Sequence, residues 1–213
     1  MKYSFYLDTA TPDARLLLMN QERIVETCVR LSSSDHGQWI HAQLETMLLH
    51  AGISWEDIEA VFVMNGPGSY TGLRISLAVA KGICYAKDLP LFLFNKLEVL
   101  RATAPNENII AVIRARENEY FTATYLREQT TDIEVAILHQ EEVRAHSLAN
   151  QASILVESGA QPIDFQEARE VALSDSLLHR LSYEMMAHEK PADLIGSTPF
   201  YLKNVHVNKI NKL

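Results

Sequence analysis

Cysteine is nearly missing from this sequence: Cys28 and Cys84 are the only two in 213 residues, and they form no CxxC pair. That excludes a disulfide framework and a cysteine-ligated zinc site, and leaves both residues as small apolar packing groups. Long apolar runs are missing too. The opening MKYSFYLDTAT is interrupted by Asp8, after an apolar run of only about five residues, short of a signal-peptide core or a membrane span. The expectation is a cytoplasmic protein with no membrane association. Positive charge is in deficit, with a formal net charge of −8. This disfavours a broad nucleic-acid footprint, because Lys and Arg against phosphate supply most non-specific affinity. The local exception is Lys203, His206, Lys209 and Lys212, which read as a solvated terminus in preference to an RNA-binding arm. No fixed-period repeat occurs, which excludes a solenoid.

Metal-ligand spacing is also missing. There is no HExxH, and His36 and His41 are five apart, about 140° from one another on a helix, unlike the four-residue spacing that places two imidazoles on one ion. His36 reads as a hydrogen-bonding residue at a helix start and His41 as a surface residue. No metal site is expected, and no Ser/His/Asp triad can be assigned from order alone.

What remains is an α/β pattern. Residues 2–7, 14–19 and 22–30 read as three strands with short links, hence an antiparallel meander. Ile40, Leu44, Met47 and Leu48 are spaced as on an amphipathic helix over 35–50. Ser54 offers a cap to a short helical turn over 55–60, and 61–64 reads as a buried strand. A long helix to about residue 87, a strand at 91–94 and a helix over 96–102 complete the order βββαβαβα. This is the pattern of a ribonuclease-H-like lobe, the half-unit of the actin-like ATPase and sugar-kinase (ASKHA) architecture. The polar stretch 104–108 reads as a linker, giving lobes 1–104 and 105–213. The second contains strands at 109–113, 120–126, 132–138 and 153–158 and a helix over 174–188, and reads as a reduced copy of the first. Its terminal segment is expected to return to the first lobe.

The most distinctive stretch is Gly66-Pro67-Gly68-Ser69-Tyr70-Thr71-Gly72-Leu73-Arg74, placed between a buried strand and a helix, where exposed N–H groups favour an anion. It is neither a Walker loop, having no Gly-Lys-Ser/Thr at the required spacing, nor a dinucleotide fingerprint. A tight turn with Ser69 as helix cap accounts for it. In the helix behind it, Leu73, Leu77, Ala80 and Cys84 form one apolar stripe, and Ile75, Val79, Gly82 and Ala86 form another on roughly the opposite side. A helix apolar on two sides is buried on two sides. One covers its own sheet; the other, rich in small residues, faces either a second chain or the interior of the same domain. Periodicity leaves open which stripe faces out.

With the continuing AKG at 80–82, GPGSYTGLR resembles the signature of the TsaB/YeaZ family. Further matches are LDTAT at 7–11, Asp35-His36 before a helix, RARENEY at 114–120 and PFYLK at 199–203. The chain departs from that pattern at Ala10, where the family has Ser, and at Arg114, where it has Asp. The resemblance implies a non-catalytic scaffold or activating subunit of the complex that transfers threonylcarbamoyl to adenosine in tRNA. It implies a TsaD-like catalytic subunit as partner, a TsaE-like ATPase joining the complex, self-association when alone, and tRNA met through the complex. The implied partner surface comprises Gly66 to Ile75 with Ala78, Val79, Gly82 and Ala86. No catalytic residue and no intrinsic cofactor are expected, with ATP or ADP placed only at the partner junction. Glycine supply agrees: beyond Gly82 only Gly159 and Gly196 remain, so the second lobe lacks a glycine-rich phosphate loop. Asp8 and Thr9 read as a structural turn, with a vestigial nucleotide contact as the alternative. The rival functions are a peptidase or ATP-dependent enzyme of the same fold, and a stand-alone homodimeric binding module.

Overall fold

The computed structural model describes residues 1–31, 36–127, 134–159 and 165–200. Strands β1 (Tyr3–Asp8), β2 (Ala14–Met19) and β3 (Ile24–Arg30) form the expected meander. Helix α1 (His36–Ala51), strand β4 (Ile58–Gly66), helix α2 (Tyr70–Lys87), strand β5 (Leu91–Asn95) and helix α3 (Lys96–Arg101) follow. The first sheet runs β3-β2-β1-β4-β5, with the meander antiparallel and β1-β4-β5 parallel.

The second half repeats this plan. Strands β6 (Ile109–Arg114), β7 (Glu119–Tyr125) and β8 (Glu134–His139) are antiparallel. Helix α4 (Gln140–Asn150), strand β9 (Ser153–Glu157), strand β10 (Arg169–Val171) and helix α5 (Asp175–His188) follow among the described residues. The sheet order is β10-β9-β6-β7-β8, with β6-β9-β10 parallel. The repeat is the two-lobed α/β architecture expected from the sequence. The second lobe is reduced where the first carries its longest helix: α2 links β4 to β5, whereas only residues 158–168 link β9 to β10.

Strand alternation decides what lies on each side of the first sheet. Phe5, Leu7, Leu16, Leu18, Val61 and Val63 face α1 and α2, joining Ile40, Leu44, Leu77 and Cys84. Tyr6, Leu17, Met19, Phe62 and Met64 face the other way, into a cluster that continues through Leu97 and Leu100 of α3 to Ile109, Ala111, Ala123 and Leu155 of the second sheet. Phe62 stacks on Phe92 at 5.1 Å, and Tyr6 meets Phe94 edge-on at 5.6 Å. The far side of the second sheet packs Ile110, Val112 and Ile154 against Val143 of α4. Each of these large side chains contributes about 1.5–3 kcal/mol relative to exposure, so the shared middle layer holds the lobes together.

Three local outcomes differ from the periodicity. The helical turn expected over 55–60 is a single 3-10 turn, Trp55–Asp57, closed by reciprocal hydrogen bonds between Ser54 and Asp57. Strand β4 then begins at Ile58 rather than at 61, because Ile58 and Ala60 are buried and pair with Tyr3 and Ser4 of β1. Helix α4 and strand β10 carry no clear periodic signal and were not expected. Asp35 and the tail residues Lys203, His206, Lys209 and Lys212 lie outside the described residues.

Candidate partner surface

The loop between β4 and α2 is fastened to the turn between β1 and β2. Thr9 Oγ1 donates to the Gly72 carbonyl at 2.6 Å, and the Ser69 N–H donates to the Ala10 carbonyl at 2.7 Å. A Cβ on Gly68 would lie 2.7 Å from Ala10 O, and one on Gly72 would fall inside the van der Waals radius of Thr9 O. The two glycines therefore let two turns touch backbone to backbone. Ser69 Oγ accepts the Gly72 N–H at 3.3 Å and caps α2 as expected. Asp8 Oδ1 accepts the Ala10 N–H at 2.7 Å, and Oδ2 lies 3.4 Å from the Tyr6 hydroxyl. Burial, with Asp8 beside it, pushes the Tyr6 phenol well up from its ordinary value. Asp8 and Thr9 are thus both engaged in holding the turn.

Helix α2 presents distinct sides. Leu73, Leu77, Ala80 and Cys84 are buried against the first sheet, and burial pushes the Cys84 thiol up to about 12. The second stripe divides: Ile75 and Val79 pack in the α1 cluster, whereas Ala78, Gly82 and Ala86 are exposed. Of the residues expected at a partner surface, Gly66, Pro67, Gly72, Leu73 and Val79 are buried inside this chain. They shape the loop and seat the helix instead of facing outward. Gly68 and Ile75 are half-buried; Ser69, Tyr70, Thr71 and Arg74 are exposed at the helix start. There the Arg74 guanidinium sits over the Tyr70 ring at 4.0 Å.

Beside the small residues runs a groove of about 410 Å³ lined by His41, Trp55, Ala78, Val79, Gly82, Ile83, Ala86 and Lys87. Its rim is set by Lys87 and Glu56, paired at 2.6 Å. This hydrogen bond holds the Glu56 carboxyl below its usual range. On the other flank, Lys81 Nζ donates to the carbonyls of Ile195 and Ser197 at 2.8 and 3.0 Å. Asn65 Nδ2 donates to Thr198 O at 3.1 Å, and the Phe200 N–H donates to Asn65 O at 2.9 Å. A strap over 192–200 thereby lies along α2 and leaves Ile195 exposed beside it; Tyr85 is exposed on the helix itself. Trp55, Lys81, Tyr85 and Ile195 were missed in the sequence. Only Lys81, inside AKG, carried a signal.

No cluster of three or more His, Cys, Asp or Glu side chains able to hold a metal occurs among the described residues. None of their helices is long and apolar enough to cross a membrane.

A family model described as TsaD, tRNA N6-adenosine threonylcarbamoyltransferase, matches residues 30–187. The chain belongs to this family, on its TsaB/YeaZ branch. The chain is 32% identical to the tRNA threonylcarbamoyladenosine biosynthesis protein TsaB of Escherichia coli over 143 residues, 65% of this chain and 59% of that one. It is 28% identical to the Haemophilus influenzae TsaB over 128 residues, 58% of this chain and 53% of that one. It therefore spans less than two thirds of these curated relatives. A tRNA N6-adenosine threonylcarbamoyltransferase of Clostridium perfringens matches at 38% identity over 68 residues, 32% of this chain and 20% of that one. The solved structure of YeaZ from Pseudomonas aeruginosa superposes with a TM-score of 0.71, covering 95% of this chain and all of that one at 21% identity. That likeness shows the shared fold.

Proposed function

We propose that this chain is a non-catalytic subunit of the machinery that places threonylcarbamoyl on adenosine in tRNA, and that it works by pairing with a TsaD-type chain. The observation that carries this reading is the outward side of α2: Ala78, Gly82 and Ala86 are exposed beside an apolar groove, on a helix whose start is clamped by the Gly68 and Gly72 contacts. Small side chains allow the backbone of a second helix to approach, and the groove receives larger apolar groups. The TsaD-type relatives match a stretch of this chain, so the partner is expected to offer a related lobe, and a like-with-like helix pairing follows. The same side then accounts for self-pairing when the partner is missing. ATP or ADP, a TsaE-type ATPase and tRNA are proposed to meet the chain within that assembly.

The test is gel filtration with the TsaD-type chain of the same cell. Ala78→Arg is expected to abolish the complex while circular dichroism stays unchanged, because Ala78 is exposed and an unpaired charge buried at an interface costs about 3–5 kcal/mol. An intact complex with this variant removes the reading. Depletion of the chain is expected to convert threonylcarbamoyladenosine in tRNA to its unmodified precursor, read by nucleoside mass spectrometry.

A further inference from the structure

Lys96 is the first residue of α3, the helix between the two sheets, and its side chain is 1% exposed. Its ammonium lies 2.7 Å from Glu157 Oε2, at the last residue of β9 in the second sheet; the Glu157 side chain is 21% exposed. A buried lysine without a partner is strongly unfavourable, so a placement of the lobes that separates the two groups is disfavoured. The opposite side of the joint is pinned as well. Arg15 of β2 donates to the Leu173 carbonyl at 2.6 Å and pairs with Asp175 at 3.3 Å. Thr27 donates to Asp175 at 2.9 Å, and His179 meets the Asn20 carbonyl at 2.8 Å. Between these two sets of contacts the apolar cluster passes without a break from Phe62 and Phe94 through Leu97 and Leu100 to Ala111 and Leu155.

Two-lobed enzymes commonly close around a ligand by motion at a hinge, where a few residues absorb the change in backbone angles. Here the joint is filled by side chains from both sheets. We infer that the Lys96–Glu157 pair locks the joint, so that the two lobes move as one rigid body and do not close on a nucleotide. The pair lies on the far side of the first sheet from the groove beside α2. In this arrangement α2 keeps one fixed presentation whatever the nucleotide supply. Any nucleotide-driven closure within an assembly belongs to another chain.

The experiment is a spin-label distance measurement between the lobes, with labels at Gln21→Cys and Glu141→Cys in a Cys28→Ser background. Both label sites are exposed and Cys84 is buried. One narrow distance distribution is expected, identical with and without Mg·ATP. A second population, or a displaced maximum on adding Mg·ATP, overturns the inference. Lys96→Met and Glu157→Gln are each expected to broaden the distribution and lower the melting temperature. The double variant recovers most of that temperature loss, because neither charge is left buried alone. Unchanged widths in the single variants overturn the role of the pair. If Lys96→Met fails to fold, Glu157→Gln, which retains a hydrogen-bond acceptor, decides the question by the same readout.

Discussion

Two glycines of one helix carry opposite expectations. Gly72 touches the Thr9 carbonyl so closely that a methyl group has no room, whereas a Cβ on Gly82 meets nothing within 4 Å. Gly72→Ala should lower stability by about 3 kcal/mol or more, as overpacking against backbone does. Gly82→Ala should raise it by up to about 1 kcal/mol through helix propensity. Urea unfolding of the two variants checks both signs. The cysteines divide in the same manner. Burial pushes the Cys84 thiol up to about 12, which disfavours the thiolate at pH 8, and only the thiolate reacts. Cys28 is half-buried, and burial raises its thiol too. Iodoacetamide on the native protein should modify Cys28 first and reach Cys84 only after unfolding, as read by peptide mass spectrometry. The glycine motif was legible in the sequence, but the reason for Gly68 and Gly72 was not. Their neighbours, Thr9 and Ala10, lie in a turn distant in the chain.

At the scale of elements, the strap along α2 is tied to the helix by Lys81 and to β4 by Asn65. Lys81 satisfies two carbonyls, and its removal leaves Ile195 O and Ser197 O without that donor. Lys81→Met should therefore cost about 1.5–3 kcal/mol locally, the range for hydrogen bonds to charged groups. Amide exchange should accelerate over 193–200 while β1 and β4 keep their protection. Elements with a strong period were readable in advance. The meander, α1, α2, β5 and α5 follow from apolar spacing, because each has one side in a core. Helix α4 was not, since Val143 is its only fully buried residue and its first turn holds Glu141 and Glu142. Strand β10 was too short, at three residues, for alternation to register. The stripe on α2 that mixes Val79 with Gly82 misled differently: periodicity reports which residues are apolar, not whether α1 or a second chain covers them.

For the whole molecule, the decisive feature is that one apolar cluster belongs to both sheets. A fragment containing residues 1–104 alone would expose Tyr6, Phe62, Phe94, Leu97 and Leu100 together. It is expected to aggregate or remain molten, with lost near-ultraviolet dichroism and binding of a hydrophobic dye. The intact chain should melt in a single calorimetric transition with matching calorimetric and van't Hoff enthalpies. The two-lobed plan was readable from element order, but the depth of the joint was not. The residues that fill it are ordinary core residues whose meeting depends on how the two sheets stack. Lys96 is the exception, a charge placed at the start of a helix that turned out to be enclosed.

The clasp between Thr9 and Gly72 joins positions 63 residues apart, and contacts of such separation form late, after their loop-closure entropy has been overcome. During synthesis, α2 can coil as soon as it leaves the ribosome, but it cannot take its final pose until the first hairpin and β4 have come together. On the pairing proposed above, a mate is expected to find its docking side only once this clasp has shut, so that the order of folding steps sets the earliest moment of assembly.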